Sequence, residues 1–144
     1  MSLKKFIFFI CVSLLFGGQS FAAIKVVGKF KNWESHFTQE GKELVCFALS
    51  QPTKKEPQNL NRAESRMFVT FRTKNNIQDE ASVTGGYPYK KDAKIDVTIE
   101  DVNFKFESSE NFAWLTTKDQ EIKLINLMKK KNDAKVIGIS ARGN

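Results

Sequence analysis

Few side chains in this sequence could do covalent chemistry. It holds one histidine, His36, and two cysteines, Cys11 and Cys46. A thiol becomes a nucleophile when a neighbouring base takes its proton, so Cys46 would need His36 within hydrogen-bond reach. Thiol chemistry at Cys46 is the one enzymatic alternative that the residues name, and the plainer reading of Cys46 is a small apolar strand residue. No set of His, Cys and carboxylates has metal-ligand spacing, and no cofactor is expected. Asp96 and Glu100 alternate with apolar residues, which is the pattern of a solvated sheet face rather than of an acid/base pair. Gly85-Gly86 lacks the lysine and helix start of a phosphate loop and reads as a turn, with Tyr87-Pro88 fixing its exit. The expectation is a protein that is not an enzyme.

The basic clusters are Lys54-Lys55, Lys90-Lys91 and Lys129-Lys130-Lys131. A nucleic-acid platform needs aromatics interleaved with such cations, and here only Tyr87 and Tyr89 near Lys90 supply them. No nucleic-acid partner is expected. The triple lysine fits the negative end of a helix, and Trp33 and Trp114 read most economically as core residues, with an exposed partner anchor as the alternative.

Behind these residues stand strands. Trp33, Ser35 and Phe37 alternate with Glu34, His36 and Thr38, and Leu44 to Leu49 is nearly continuous apolar sequence. A two-residue turn at Glu40-Gly41 would pair Trp33 with Ala48, Ser35 with Cys46 and Phe37 with Leu44. That register puts Cys46 in the core beside Trp33 and Phe37 and turns His36 to the opposite face. Only a one-residue slip would bring thiol and imidazole together.

Gln51 to Ser65, with two prolines, reads as a long surface loop. Met67–Phe71 and Ala81–Thr84 read as strands separated by Asn75-Asn76. Ile95, Val97 and Ile99, then Val102, Phe104 and Phe106, predict a hairpin turning at Glu100-Asp101, and Asn111–Leu115 adds a short strand. Thr117 and Gln120 then fit a capping box, and Ile122, Leu124, Ile125, Leu127 and Met128 mark the apolar face of a helix. Val136, Ile137 and Ile139 open a final strand. Many short strands and one late helix predict a mainly β fold, an antiparallel immunoglobulin-like β-sandwich with one C-terminal α-helix.

The first 22 residues read as a secretory signal: Lys4 and Lys5, an apolar run from Phe6 to Phe16, then Ser20-Phe21-Ala22 with cleavage after Ala22. The run falls well short of the roughly 20 residues that span a bilayer. Cys11 lacks the small neighbours of a lipid-acylation site. Cleavage would leave 122 of 144 residues as one domain, 23–144, and would take the net charge from +7 to +5. The mature chain would have no transmembrane segment, would carry Cys46 as its one cysteine, and would reside in the periplasm or outside the cell. Its charge suits solubility and also allows weak binding to anionic surfaces.

Several segments together resemble the invasion-associated locus B family of exported bacterial proteins. They are Val45-Cys46-Phe47 running into Ser50-Gln51-Pro52-Thr53-Lys54-Lys55-Glu56-Pro57, then Asn61-Arg62 and Phe68-Val69-Thr70-Phe71-Arg72. Gly86-Tyr87-Pro88-Tyr89-Lys90, Ala113-Trp114, Met128-Lys129-Lys130 and Gly138-Ile139-Ser140-Ala141-Arg142-Gly143 continue the series in the family's order. The resemblance implies a small exported β-sandwich, an association of some members with host-cell invasion, and no catalytic residues to carry over. Relatives usually continue past the Ser-Ala-Arg-Gly segment into a further strand and often another cysteine. The expectation here is therefore an unpaired edge beside Val136 to Ser140, open to strand addition, and a Cys46 whose partner belonged to that tail.

The function expected from these readings is binding of a protein or other macromolecule at the envelope or host-cell surface. Lys54, Lys55, Tyr87, Tyr89 and Lys90 are the contact candidates, because exposed loops with aromatics and cations supply area and charge together.

Overall fold

The structure, a computed structural model, describes residues 23–74 and 77–143. The signal reading of residues 1–22 and the break assigned to Asn75-Asn76 lie outside the described residues. Nine strands form among those described: β1 (Lys25–Phe30), β2 (Trp33–Glu40), β3 (Glu43–Ser50), β4 (Arg66–Arg72), β5 (Ile77–Thr84), β6 (Lys94–Ile99), β7 (Val102–Ser109), β8 (Phe112–Trp114) and β9 (Lys135–Ile137). One helix, α1 (Lys118–Met128), lies between β8 and β9. No described helix is long and apolar enough to cross a membrane.

The fold is mainly β and antiparallel with one late helix, as the alternation predicts. All nine strands are hydrogen-bonded into one sheet, in the order β1-β2-β3-β4-β5-β8-β7-β6-β9. β1 to β5 form a sequential meander, and β6, β7 and β8 form a second one running back towards β5. The segment 85–93 must therefore cross from the end of β5 past β8 and β7 before β6 can begin.

Strand period decides what is buried. In β6, Ile95, Val97 and Ile99 are fully buried while Lys94, Asp96 and Thr98 face outwards. They stand opposite Phe106, Phe104 and Val102 of β7, with the turn at Glu100-Asp101. Ala81 and Val83 of β5, Ala113 of β8, Leu115 just after it, Leu124 of α1 and Tyr89 belong to the same cluster. Each fully buried Ile, Leu or Phe contributes roughly 1.5–3 kcal/mol, so the second meander with α1 is the apolar centre of the molecule.

Helix α1 begins after Thr117, whose backbone is extended as an N-cap requires, with Asp119 and Glu121 in the first turn. The expected capping box does not form, because the Thr117 side chain makes no cap hydrogen bond. Leu124 and Ile125 are its buried residues, and Ile122 stays exposed. The triple lysine lies just past the last helical residue, where the Lys129 N–H donates to Ile125 O at 3.0 Å. The Lys131 ammonium pairs with Glu100 at 2.8 Å, tying the helix end to the β6–β7 turn.

The β2–β3 hairpin corrects the sequence register by two residues. Its turn is Gly41-Lys42, so Phe37 faces Cys46, Ser35 faces Ala48 and Trp33 faces Ser50. Gly41 takes a positive φ of 63°, which moves the turn one residue along. A two-residue shift preserves side-chain parity, so His36 and Cys46 still lie on opposite faces. Cys46 is a half-buried thiol between Phe37 and Phe71 on its neighbouring strands, outside the main cluster. The expectation that it joins the core beside Trp33 is thus corrected.

Candidate binding face

Directly opposed residues share a sheet face, so the registers place side chains without ambiguity. On one face the column Glu34–Leu49–Phe68–Ser82–Trp114–Glu107–Lys94 crosses seven strands. His36 and Phe47 form the next column on one side, and Arg66, Thr84 and Phe112 the next on the other. Aromatic rings therefore run diagonally over the sheet. His36 stacks on Phe47 with ring centroids 5.1 Å apart and planes at 11°. Phe47 meets Phe68 at 6.3 Å, and Phe68 meets Phe112 at 6.3 Å. The last step spans β5 because Ser82 and Thr84, the β5 residues that lie beside Phe68 and Phe112 on this face, are small.

The row emerges at the surface. Phe112 is 45% and Trp114 38% exposed. Trp114 was expected in the core, but its strand neighbours on this face are Ser82 and Glu107, whereas Ala113 takes the buried side of β8. Glu80, Ser82, Ser109, Glu110, Phe112 and Trp114 line an open cleft of about 450 Å³.

At the other end, the His36 side chain is only 11% exposed. Neither ring nitrogen has a hydrogen-bond partner, and Nε2 lies 3.6 Å from the Glu34 carboxylate, beyond hydrogen-bond range. Glu34 is held below the usual carboxylate range first by its hydrogen bond from Lys29, at 2.7 Å, and then by the Lys29 charge. Cys46 and His36 do not meet, so the thiol–imidazole pair considered from the sequence is not assembled. Among the described residues no group of three or more His, Cys, Asp or Glu could hold a metal ion.

The five contact candidates fall into two places. Lys54 and Lys55 are exposed on the irregular segment between β3 and β4, and Lys54 is paired with Glu56 at 2.8 Å. Tyr87, Tyr89 and Lys90 belong to the crossover. Tyr89 is 5% exposed and part of the buried cluster, so its ring is structural rather than a contact surface. Burial, and next the neighbouring Tyr87, raise its phenol far above the ordinary tyrosine range. Tyr87 is half-buried and meets Tyr89 edge-on at 5.3 Å. Lys90 remains exposed.

What buries the tyrosines is a meeting of distant segments. The Ala63 N–H donates to Gly86 O at 3.0 Å, and the Ser65 hydroxyl donates to Gly85 O at 2.9 Å. The Tyr89 N–H donates to Glu110 O at 2.8 Å, the Lys90 N–H to Ile139 O at 2.9 Å, and the Ala141 N–H to Pro88 O at 2.8 Å. A buried crossover must satisfy its backbone groups, and these bonds do so. The segments around Asn61-Arg62, Gly86 to Lys90 and Gly138 to Gly143 thus converge on one knot.

The sequence reading missed the row and the cleft. Phe47 and Phe68 were visible as strand residues, but no local signal places β8 between β5 and β7. No protein-family model, curated protein or solved structure matches the chain.

Proposed function

We propose that this chain is an exported, non-enzymatic binding protein of the invasion-associated locus B type, acting in the periplasm or outside the cell. It engages a macromolecular partner at the envelope or host-cell surface. The observation that carries the reading is the aromatic row from His36 to Phe112, which reaches solvent at Phe112 and Trp114 beside an open cleft. Exposed aromatic side chains at the mouth of a concavity are the usual anchors of recognition. The convergence of three family-like segments on the Tyr87–Tyr89 knot supports the family assignment, because it gives those residues a shared structural role. Lys54, Lys55 and Lys90 supply peripheral cationic contacts.

The test measures binding of labelled domain, residues 23–144, to intact bacterial envelopes and to cultured host cells. F112S/W114A should reduce binding at least tenfold, while K54E/K55E should weaken it in a salt-dependent way. Binding unchanged in F112S/W114A would sink the proposal.

A further inference from the structure

The cleft at Trp114 has a composition that names a ligand class. Its walls are two aromatic rings, Trp114 and Phe112, both open to solvent. Its polar lining is two carboxylates, Glu80 and Glu110, and two hydroxyls, Ser82 and Ser109. Among the described residues neither carboxylate takes part in an ion pair. Their neighbour Glu107 stands directly opposite Trp114 but is already matched by Lys94.

Unmatched acids beside aromatic faces are notable in a chain of net charge +7. The charged residues lining the cleft are all acidic. A neutral sugar could stack on the rings, but it would leave both carboxylates without a counter-charge. An organic cation satisfies both halves of the lining, because aromatic faces attract ammonium groups through their quadrupole, with Trp the strongest. The volume also fits, since small-molecule sites typically span a few hundred Å³.

We infer that the Glu80–Glu110–Phe112–Trp114 cleft binds an organic ammonium group of the choline type. The ring faces of Trp114 and Phe112 take the methylated head, and Glu80 and Glu110 supply the balancing charge from the rim. This rests on the reading of the same face as a binding surface and specifies what its cleft recognises. Two exposed cation–π contacts and two solvent-screened carboxylates together should half-saturate on the order of 10 mM.

The probe is choline chloride, added to the domain of residues 23–144 and followed through the indole N–H resonance of Trp114, assigned with W114F. A saturable shift is expected with choline and none with 3,3-dimethylbutan-1-ol, its neutral isostere. E80Q/E110Q should weaken the response at least fivefold while leaving the circular dichroism spectrum unchanged. An equal response to the neutral isostere, a saturable response to maltose with none to choline, or no response up to 100 mM would each overturn the inference. Co-sedimentation with phosphatidylcholine vesicles would assign the ammonium to a lipid headgroup, and its absence alongside a choline response would assign a free solute. Loss of the choline response with macromolecular binding intact removes this inference alone. Insensitivity of that binding to F112S/W114A removes the reading beneath it.

Discussion

Gly86 gives the sharpest test of the knot, because Gly41 provides its control. Both residues have positive φ, 78° at Gly86 and 63° at Gly41. Alanine in that region costs about 1–2 kcal/mol at either position, and the gain from a less flexible unfolded chain is the same for both. The surroundings differ. A Cβ at Gly41 meets nothing within 4 Å, whereas at Gly86 it would lie 2.6 Å from the Ala63 carbonyl carbon and closer still to its oxygen. Backbone cannot yield as a side-chain tip does, so Ala63 must move. That movement strains the Ala63–Gly86 hydrogen bond, and with it the Ser65–Gly85 bond, each worth about 0.5–1.5 kcal/mol. G86A should therefore cost about 1–3 kcal/mol more than G41A. Urea denaturation of the two variants, with wild type alongside, reads this directly as a lower midpoint at unchanged slope. Equal midpoints for G86A and G41A would refute the claim that the crossover is clamped to the segment before β4.

Leu124→Ala removes a fully buried anchor of α1 from the cluster and should cost about 2–5 kcal/mol, measured by the same denaturation. His36→Phe keeps the stack on Phe47 and removes two buried nitrogens without hydrogen bonds, so stability should hold or rise by up to about 1 kcal/mol. A clear loss would show that the Glu34 contact matters. Burial raises the Glu121 carboxyl above its usual value, with Lys118 opposing. Its favourable share of stability is thus complete below the unfolded value and is lost as pH rises through the raised one. E121Q should therefore melt higher than wild type at pH 7 and level with it at pH 3.5, and a difference of the opposite sign at pH 7 would contradict this.

Much of the fold was legible because it is local. Ile95, Val97 and Ile99 meet Phe106, Phe104 and Val102 across two residues of turn, so alternation and proximity agree. The helix was legible for the same reason, its apolar face changing period within a dozen residues. The hairpin register erred by two because a glutamate-glycine pair specifies its turn weakly, yet the faces of His36 and Cys46 survived, since parity did. Tyr89 was read as exposed because its burial depends on residues 63, 110 and 139–141, which no window contains. The cleft was hidden for the same cause. Ser82 and Trp114 carry no mutual signal, and only the insertion of β8 beside β5 makes them neighbours.

That insertion has a mechanical meaning. β8 contributes three residue pairs to β5 and three to β7, as β9 does to β6, while the other neighbouring strands share five to eight. The sheet is therefore narrow in its interior at β8, while the buried cluster crosses that line from Ala81 and Val83 of β5 to Phe106 of β7. Hydrogen bonds alone would hold the two halves only weakly at β8, so the apolar packing of that cluster is what joins them. Trp114 stands on that line, between Ser82 and Glu107, so its indole reports on whether the two halves stay joined.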